Sequence, residues 1–477
     1  MKPASHDLAI IGGGSAGYAA ARTAVEHGLK TVVIDGAETL GGLCILRGCM
    51  PSKTLIESAN RCRELRRASE FGLRAENTGA DVAEIIARKR RLIGEFASYR
   101  QGQLQDGRFD LIRGRARFTD PHGLAVALRE GGERRVEFAG AVIATGSAIS
   151  RIPLPGLDET GFWTSDDILD AEALPDSFVV LGGGAIALEM ACYLEGLGRR
   201  VTVIQRGPHL LTGTDPDVAD ALADALRRRE NLALFTGTRL LRVEKDPDGQ
   251  KTVHFEHEGV EKTATGHEIL YALGRKPALE GLDLDAAGIH LAATGHIAVD
   301  SGMASTSQPH VFAAGDAAGP HEIVHIAIQQ GEIAARNAAR RLGAAERLGP
   351  PETIDYRLKI LGVFTDPEVA TAGIGEAEAI AAGRKVAAAR YPFDDHGKSM
   401  VMGGTEGFVK LIADAENGEL IGGAAVGPHA VDLIHEIVVA LHFRCTPAQF
   451  LEIPHYHPTL SEIWTYPAEE LLEISQL

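Results

Sequence analysis

The chain has 477 residues, a formal net charge of −17 and five cysteines, and a chain of this length exceeds one hydrophobic core, so several domains are expected. The acidic balance argues against a nucleic-acid-binding protein, which would present a basic face. The sparse, odd cysteine count argues against a secreted disulfide framework, and no apolar run is long enough to predict a membrane span, so a cytoplasmic protein is expected.

The first predicted unit is a strand, a glycine-rich turn, a helix and a second strand. Asp7 to Ile11 is an apolar run typical of a strand, and Gly12, Gly14 and Gly17 follow it in the spacing G-x-G-x-x-G. Glycines at this spacing allow a tight turn that brings backbone N–H groups to a pyrophosphate at a helix N-terminus. Asp35 ends the second strand, where a carboxylate can accept hydrogen bonds from an adenosine ribose. The combination predicts a dinucleotide site.

Two cysteines, Cys44 and Cys49, follow in a glycine-rich stretch that runs into Pro51. Thiols at this spacing can close a ring if the backbone bends to bring their Cα atoms within about 7 Å. Such a pair holds two electrons and releases them by thiol–disulfide exchange. In a reducing cytoplasm a persistent disulfide is more often catalytic than structural, so the pair is a candidate redox centre.

A helix is predicted after this pair, over Ser52 to Leu65, because apolar residues recur on one face. Cys62 belongs to that face and is expected to be a small core residue. The arginines of this stretch are expected on the solvated face; they are Arg61, Arg63, Arg66 and Arg67. Strands of a small sheet are predicted next, over 114–118 and 136–143.

The glycine turn then occurs a second time. Gly182 and Gly184 repeat the spacing of the first turn, Ala187 stands in place of the third glycine, and Gln205 followed by Arg206 stands where the first unit has its acid. A neutral side chain beside an arginine suits a 2′-phosphate better than a free ribose hydroxyl, which favours NADPH. The alternative is a surface arginine without a ligand. Two such units indicate two different dinucleotides, because an electron relay needs a donor and an acceptor.

Two stretches near the C-terminus carry further candidate residues. An apolar strand runs into Gly315 and Asp316, where a carboxylate can hold a cofactor hydroxyl or, alternatively, cap a helix. From about residue 351 the sequence changes to a mixed α+β segment that contains His457 and Glu462. A histidine with an orienting carboxylate can move the proton that dithiol exchange requires; the alternative is a histidine satisfied in a local turn.

These motifs together resemble the FAD-dependent pyridine nucleotide-disulfide oxidoreductases of class I, and among them most closely the dihydrolipoamide dehydrogenases. The resemblance covers nearly the full chain. It rests on both glycine turns, the cysteine stretch through Lys53, residues 144–146, Gly274-Arg275, residues 313–316, and His457-Pro458-Thr459 with Glu462. It implies an α/β fold with two Rossmann-like dinucleotide-binding domains, for FAD and NAD(P), and a C-terminal α+β dimerisation domain.

The resemblance also implies where these domains lie. The first part of the FAD-binding domain would be 1–150, the NAD(P)-binding domain 151–276, the second part of the FAD-binding or central domain 277–350, and the dimerisation domain 351–477. The active site would be shared between the subunits of an obligatory homodimer.

Roles for single residues follow from the same resemblance. Cys49 would be the charge-transfer thiol against the flavin, Cys44 the interchange thiol, and His457 with Glu462 would serve the other subunit's cysteines. The FAD adenosine and pyrophosphate would be bound by Gly12, Gly14, Gly17 and Asp35, the ribityl chain by Asp316, and Lys53 would lie near flavin N5, paired with Glu189. The nicotinamide nucleotide would be bound by Gly182, Gly184, Ala187, Gln205, Arg206 and Arg275. Further implied cofactor-binding residues are Ala116, Thr145, Gly146, Gly274 and His325.

The implied activity is electron transfer between NAD(P)H and a disulfide, either small or carried on a lipoyl group, through FAD and a Cys44–Cys49 disulfide. The alternatives are an NADPH-dependent reductase of another low-molecular-weight disulfide and a mercuric-reductase-like or quinone-reducing (diaphorase) flavoprotein. Metal-ion reduction is disfavoured because no cysteine follows Cys445. Leu43, Arg47 and Tyr456 depart from the common dihydrolipoamide dehydrogenase pattern and point to a divergent subgroup.

Overall fold

The structure is a computed structural model that describes residues 5–76, 78–344 and 349–475. The described part of the first 150 residues alternates strands and helices and ends in an antiparallel segment. Its elements are β1 (His6–Ile11), α1 (Ser15–Glu26), β2 (Thr31–Asp35), α2 (Leu43–Arg47), α3 (Cys49–Arg66), α4 (Val82–Leu104), β3 (Asp110–Asp120), β4 (Gly123–Leu128), β5 (Glu133–Ile143) and β6 (Ser147–Ile149).

The next segment repeats this alternation. Its elements are α5 (Leu157–Thr160), β7 (Trp163–Thr164), α6 (Ser165–Ile168), β8 (Ser177–Leu181), α7 (Ala185–Gly196), β9 (Arg200–Ile204), α8 (Pro216–Arg227), β10 (Leu232–Phe235), β11 (Thr238–Lys245), β12 (Lys251–His257), β13 (Val260–Gly266) and β14 (Glu268–Tyr271).

The rest of the chain, from residue 275 onward, contains a long helix and then a mainly antiparallel segment with helices. Its elements are β15 (Arg275–Pro277), β16 (Val311–Ala313), α9 (Val324–Arg341), β17 (Ile360–Val363), β18 (Glu368–Gly373), α10 (Glu376–Ala381), β19 (Val386–Pro392), α11 (Gly397–Met402), β20 (Phe408–Asp414), β21 (Leu420–Gly427), α12 (Ala430–His442), α13 (Pro447–Leu451) and α14 (Thr465–Ser475).

The chain folds into two compact units, each assembled from three separate stretches. As far as these ranges are described, unit 1 consists of Met1–Pro51, Arg88–Ser150 and Gly274–Asp355. Unit 2 consists of Ser52–Ala87, Arg151–Leu273 and Tyr356–Leu477. The chain therefore passes repeatedly from one unit to the other.

Unit 1 is built on a parallel sheet in the order β3-β2-β1-β5-β16. The C-terminal part of β3 and the N-terminal part of β5 extend beyond this sheet, where each pairs antiparallel with β4. The central strands β1 and β2 are almost wholly buried, because helices cover both faces of such a sheet and its strands become continuous apolar runs. The carboxyl ends of β1 and β2, where ligands bind in this topology, carry the first glycine turn and Asp35.

Unit 2 contains the same plan a second time, in the order β10-β9-β8-β14-β7 with all pairs parallel. A three-stranded antiparallel sheet, β11-β12-β13, accompanies it. The C-terminal part of unit 2 is an antiparallel sheet in the order β17-β18-β21-β20-β19. Its core gathers apolar residues of these strands with those of α12 and α14. The predicted fold class, two Rossmann-like units and a C-terminal α+β segment, is confirmed.

The prediction that all four arginines near α3 lie on its solvated face is wrong for Arg63. This side chain is 11% exposed, and its Nε lies 3.3 Å from Glu195 Oε2. Its Nη2 donates to the carbonyl oxygen of Cys192 at 2.5 Å. A buried arginine requires such partners, because an unpaired charge is costly away from water. The partners lie more than 100 residues further along the chain, so helical periodicity could not reveal them.

Within the described ranges, no helix has the length and apolar character needed to cross a membrane.

Candidate active site and dinucleotide-binding turns

The first glycine turn is so tight that side chains would not fit in it. Gly12 has a φ of +104°, and a Cβ there would lie 2.3 Å from the carbonyl oxygen of Ala144. A Cβ on Gly17 would lie 1.8 Å from the carbonyl oxygen of Gly12. Gly14, in contrast, has only an ordinary contact beside it, with Gly42 Cα at 3.7 Å. Gly12 and Gly17 therefore close the turn, and Gly14 begins α1 with its first N–H groups accessible.

Asp35 stabilises the same turn from the end of β2. Its Oδ2 accepts a hydrogen bond of 2.8 Å from the N–H of Gly13, and its Oδ1 accepts one of 2.8 Å from the N–H of Ala37. Asp35 is buried, so these two donors hold the carboxylate in one orientation. A carboxylate fixed there is suited to accept hydrogen bonds from a ribose diol.

The residues of this turn fit a dinucleotide. The buried hydroxyl oxygen of Thr145 has no hydrogen-bond partner among the described residues. Thr145 Cα lies 3.3 Å from the position that a Cβ of Gly12 would take, so this orphaned group borders the glycine turn. Buried polar atoms are nearly always satisfied in native proteins. A bound FAD would give the Thr145 hydroxyl its missing hydrogen-bond partner, beside the N-terminus of α1 and the fixed Asp35 carboxylate.

Asp316 lies in a short 3₁₀ helix whose N-cap is Ala314, so it does not have the capping role that was the alternative. Its Oδ2 accepts a hydrogen bond of 2.6 Å from the Ser147 hydroxyl. Arg275 in turn donates from Nε to that hydroxyl at 2.8 Å and from Nη2 to the Ser147 carbonyl at 2.9 Å. Ser147 thus joins two predicted site residues that are far apart in sequence. Sequence reasoning missed it, although it directly follows the predicted pair Thr145 and Gly146.

The cysteine stretch passes directly against the first glycine turn. A Cβ on Gly42, whose φ is +78°, would lie 2.6 Å from Gly14 Cα. Cys44 lies in α2, Gly48 separates the two helices, and Cys49 begins α3. Both cysteines are half-buried. Because Gly42 allows this close approach, the thiols are held in the same unit as the first dinucleotide turn and beside its helix.

Arg100 is a neighbour of Cys44 that the sequence did not reveal. Its guanidinium carbon lies 4.2 Å from the centre of the Tyr18 ring, and its buried Nε has no hydrogen-bond partner among the described residues. Burial lowers the pKa of Arg100, against the opposing electrostatic influence of Tyr18 and Cys44. A cation near a thiol favours its thiolate form. Arg47, which the sequence did single out, is exposed at the end of α2.

The second glycine turn keeps the backbone of the first and changes its side chains. Gly182 has a φ of +120°, and a Cβ there would lie 2.4 Å from the carbonyl oxygen of Ala272. Gly184 begins α7 with nothing within 4 Å of the Cβ position. Gln205 packs against Gly183 and donates from Nε2 to the carbonyl oxygen of His209 at 3.3 Å. Arg206 is exposed. This turn also fits a dinucleotide and presents a cation, not an acid, at its ribose end.

A part-buried ion pair joins α3 and α7 within unit 2. Lys53 Nζ lies 2.7 Å from Glu189 Oε2 and 2.9 Å from Oε1. The N–H of Phe364 donates to Glu189 Oε1 at 3.1 Å, and the Phe364 ring centre lies 4.8 Å from Lys53 Nζ. Phe364 was not predicted. The three groups fix the Lys53 ammonium in one place.

The histidine and glutamate of the C-terminal stretch contact each other. His457 Nδ1 lies 2.9 Å from Glu462 Oε2 and 3.1 Å from Oε1. The histidine side chain is 78% exposed and the glutamate side chain 12% exposed. This geometry holds the imidazole through Nδ1 and leaves Nε2 toward solvent. A second histidine, His396, also approaches the Glu462 carboxylate, at 3.3 Å from Oε1; sequence reasoning missed it.

The remaining predicted residues have these positions. Ala116 is buried in β3 opposite Val126, Gly146 has a φ of +71°, and Ala187 is fully buried in α7. Gly274 has a φ of +120° and its carbonyl accepts a hydrogen bond from the N–H of Ser150 at 3.0 Å. His325 lies in the first turn of α9. Cys44 and Cys49 belong to unit 1, and His457 and Glu462 belong to unit 2.

Comparison with known proteins identifies the family to which this arrangement belongs. Residues 6–331 match the family described as pyridine nucleotide-disulphide oxidoreductase, and residues 361–468 match the dimerisation domain of that family. The chain belongs to the pyridine nucleotide-disulphide oxidoreductases. The predicted family is thus confirmed, and with it an FAD-dependent oxidoreductase, since enzymes of this family use FAD and NAD(H). The dimerisation domain implies a homodimer.

Relatives of full length support the assignment. The chain is 34% identical over 475 residues to dihydrolipoyl dehydrogenase of Thermus scotoductus, covering 98% of this chain and 97% of the relative. It is 32% identical over 467 residues to dihydrolipoyl dehydrogenase of Bacillus subtilis, covering 98% and 96%. The crystal structure of LpdA from Mycobacterium tuberculosis superposes with a TM-score of 0.85 at 29% identity, covering 98% of this chain and 99% of that one.

Proposed function

We propose that the chain is a dihydrolipoyl dehydrogenase-type enzyme that oxidises a dithiol, on a lipoyl carrier or a small molecule, and reduces a nicotinamide nucleotide. The observation that carries the proposal is the position of Cys44 and Cys49, which the Gly42–Gly14 approach holds against the first dinucleotide turn. The similarity to dihydrolipoyl dehydrogenases over nearly the whole chain supports the same substrate class.

The two glycine turns would bind the two nucleotides. Gly12, Gly14 and Gly17 with Asp35 would hold the FAD adenosine and pyrophosphate, Thr145 would donate or accept the hydrogen bond that its hydroxyl lacks, and Asp316 would hold the ribityl chain. FAD bound there supplies two-electron exchange with the nicotinamide on one side and with a thiol on the other. Gly182, Gly184, Gln205 and Arg206 would hold the nicotinamide nucleotide. The side chains around the two turns differ, so each turn would bind its own nucleotide.

The cysteines would perform the exchange with substrate. One thiolate of the substrate dithiol attacks Cys44 Sγ of the Cys44–Cys49 disulfide, and the Cys49 sulfur leaves as a thiolate. The second thiol of the substrate then attacks the substrate sulfur that is bonded to Cys44, and Cys44 leaves as a thiolate. The substrate leaves as a disulfide, and its two electrons remain on the cysteine pair. Passage of these electrons to the nicotinamide nucleotide restores the Cys44–Cys49 disulfide and forms NAD(P)H with release of a proton.

His457 would accept the proton of the attacking thiol. Its Nδ1 is bound to Glu462, so Nε2 is the nitrogen available for proton transfer. Glu462 fixes this tautomer and stabilises the charged imidazole. We propose that the pair serves the cysteines of the partner subunit, in keeping with the dimerisation domain that contains it.

Lys53 would supply a fixed positive charge at the flavin. Because Glu189 is buried and binds both Lys53 and the N–H of Phe364, the ammonium is held without rotational freedom. A fixed cation stabilises negative charge that develops beside it without reorganisation of solvent. Ser147 would orient Asp316 by a direct hydrogen bond, and Arg275 would hold Ser147 in place by donating to it.

The proposal extends to the division of the chain and its location. Functional boundaries at 1–150, 151–276, 277–350 and 351–477 are compatible with glycine turns near the start of the first two ranges and with the antiparallel sheet in the last. A cytoplasmic location is proposed because a redox-active pair of the Cys44–Cys49 type operates among reduced thiols.

A second candidate, an NADPH-dependent reductase of another low-molecular-weight disulfide, is favoured by two observations. Arg206 is exposed beside the neutral Gln205. The half-buried Arg100 guanidinium near Cys44 has a buried Nε without a hydrogen-bond partner among the described residues. A disulfide that carries carboxylates would supply a charged partner for this guanidinium, whereas lipoamide offers only a neutral amide.

Steady-state assays that cross NADH and NADPH with lipoamide, glutathione disulfide and other low-molecular-weight disulfides test the proposal. We expect turnover with lipoamide, and no disulfide turnover by Cys44→Ser, which should keep nicotinamide-driven flavin reduction. Full disulfide turnover by Cys44→Ser contradicts the proposed role of the pair. Turnover with glutathione disulfide but not lipoamide favours the second candidate.

A further inference from the structure

The Glu462 carboxylate lies between two imidazoles. His457 Nδ1 approaches it at 2.9 Å from the solvent side, and His396 Nε2 lies 3.3 Å from Oε1 on the buried side. Among the described residues these are the two polar side chains that contact the carboxylate. A carboxylate that is only 12% exposed needs hydrogen-bond donors in place of the water it has lost.

His396 is built into the fold. Its side chain is 0% exposed, and its Nδ1 lies 2.8 Å from the hydroxyl oxygen of Ser399. Ser399 is itself fully buried at the start of α11. Nε2 makes no hydrogen bond among the described residues, and Glu462 Oε1, 3.3 Å away, is the acceptor nearest to it. A buried imidazole with one nitrogen on a hydroxyl and the other directed at a carboxylate has a defined orientation.

The direction of the hydrogen bonds follows from these contacts. Burial lowers the pKa of His396, against the opposing influence of Glu462 and together with that of His457, which keeps the imidazole neutral. A neutral imidazole has one donor and one acceptor nitrogen. Nε2 lies beside the Glu462 carboxylate, so Nε2 carries the hydrogen and Nδ1 accepts from the Ser399 hydroxyl. Ser399 therefore holds the tautomer of His396 whose Nε2–H lies beside Glu462.

The other groups around His396 do not compete for this carboxylate. The Tyr466 ring lies edge-on to the imidazole with centres 6.2 Å apart. Tyr391 stacks on Tyr466 at 4.1 Å, and its hydroxyl donates to Asp395 Oδ2 at 2.9 Å. Burial, followed by its hydrogen bond to Asp395, raises the pKa of Tyr391 to about 12. Tyr391 is therefore neutral near pH 7, and Asp395 has its own partner.

We propose that His396 is a positioning residue for the proton-transfer pair: a buried imidazole that holds the Glu462 carboxylate oriented toward His457. This inference rests on the proposed function, in which His457 and Glu462 serve the redox cysteines. A neutral donor suits the task better than an arginine or lysine, because it orients the carboxylate without adding a positive charge that would oppose protonation of His457.

Four variants test the proposal: His396→Leu, His396→Gln, Ser399→Ala and Glu462→Gln. The assay is dithiol oxidation by the dimeric holoenzyme with dihydrolipoamide and the nicotinamide nucleotide that it uses, measured across pH. Nicotinamide-dependent dye reduction in the same preparations is the control, because it does not need the histidine pair. Thermal melting and size-exclusion chromatography verify folding and dimerisation.

We expect His396→Leu to lower kcat for the dithiol about tenfold, a fraction of what a general base contributes, with KM and dye reduction unchanged. The acid limb of its pH profile should move upward by about half a unit, because a carboxylate with one donor fewer binds the His457 proton more strongly. His396→Gln keeps an N–H donor and should recover most of the rate. Ser399→Ala should have an intermediate effect, because the His396 imidazole keeps its N–H but is no longer held in one tautomer.

The double variant His396→Leu/Glu462→Gln separates positioning from a general structural role. If His396 acts through Glu462, the double variant should be no slower than Glu462→Gln alone, as residues in one network are not additive. Additive losses with an unshifted pH profile would overturn the inference.

A normal rate and pH profile for His396→Leu, with a slow Glu462→Gln, would overturn the inference and leave the proposed function intact. Full dithiol turnover by Glu462→Gln would overturn the proton step itself. If His396→Leu fails to fold, the comparison of Ser399→Ala with the wild type decides, and an unchanged pH profile there counts against the proposal.

Discussion

The turn at Gly12 and the turn at Gly182 both place a glycine of positive φ against the carbonyl oxygen of a neighbouring strand end, at 2.3 Å and 2.4 Å from a hypothetical Cβ. They differ in what surrounds this shared backbone. The first turn is closed by the buried carboxylate of Asp35, whereas the second has Gln205, which donates away to His209. We therefore expect the shared backbone geometry to suit a dinucleotide and the side chain at the strand end to select which one.

The helices that follow the two turns differ in the same way. In α1, Tyr18 packs against Arg100 and lies in the unit that holds Cys44. The corresponding position of α7 is Leu188, which is fully buried, and the next residue, Glu189, binds Lys53. Tyr18 of one helix thus packs on Arg100, and Glu189 of the other binds Lys53. The two units share one plan, and their chemistry comes from a few side chains at equivalent positions.

The largest expected effect comes from Gly12→Ala compared with Gly182→Ala. Each forces a methyl group into a carbonyl oxygen at a φ that disfavours alanine, a strain of about 3 kcal/mol or more. We expect Gly12→Ala to yield protein without flavin, and Gly182→Ala to keep its flavin but lose reduction by nicotinamide nucleotide. The visible absorption spectrum and anaerobic stopped-flow reduction measure the two outcomes. Loss of flavin in both variants would contradict separate sites.

The next largest effect concerns the strand ends. Replacing Gln205 by Glu and Arg206 by Ala should convert the second turn to the pattern of the first. We expect the ratio of kcat/KM for NADPH to that for NADH to fall about 100-fold, since a charge-assisted phosphate contact is lost and a repulsive carboxylate is gained. Steady-state kinetics with both nucleotides measure it. A matched Arg199→Ala variant, which changes another arginine of the same unit, should leave the ratio unchanged; an equal change there would sink the assignment.

Lys53→Met tests the cation that α7 anchors. Removing Lys53 leaves Glu189 buried without its charge partner, which typically costs about 3–5 kcal/mol. We expect a lower melting temperature and slower flavin reduction. Lys53→Met/Glu189→Gln should regain most of the stability but not the rate. Recovery of the rate as well would show that the pair is structural only.

The smallest effect is expected from Arg100→Met, which keeps the packing on Tyr18 and removes the charge. A thiol that loses a nearby cation is less often a thiolate, so alkylation of the reduced enzyme by iodoacetamide at pH 7 should slow about threefold. The Cys49→Ser background isolates Cys44 in this measurement. An unchanged rate would mean that Arg100 acts on substrate selection alone.

Much of this architecture follows from local sequence. The strand, glycine turn and acid of the first unit, its repetition, and the helix after Cys49 are encoded by residues near one another, because backbone conformation and periodicity are local properties. His457 and Glu462 are also close in sequence. Arg63, Ser147, Phe364 and His396 could not be placed, since their partners are distant along the chain and the sequence has no spacing that links them. Buried polar contacts of this kind are determined only by the tertiary fold.

The interleaving of the two units has a consequence for biosynthesis. The parallel sheet of unit 1 is completed by β16, Val311–Ala313, which pairs with β5, and Asp316 follows directly after it. A ribosome must therefore translate about two thirds of the chain before the sheet that we propose binds flavin has all its strands. Until then β5 has an open edge, and unpaired edges invite association with other chains. Flavin is thus expected to be captured late in synthesis, and a truncated chain that ends before β16 should aggregate and not bind the cofactor.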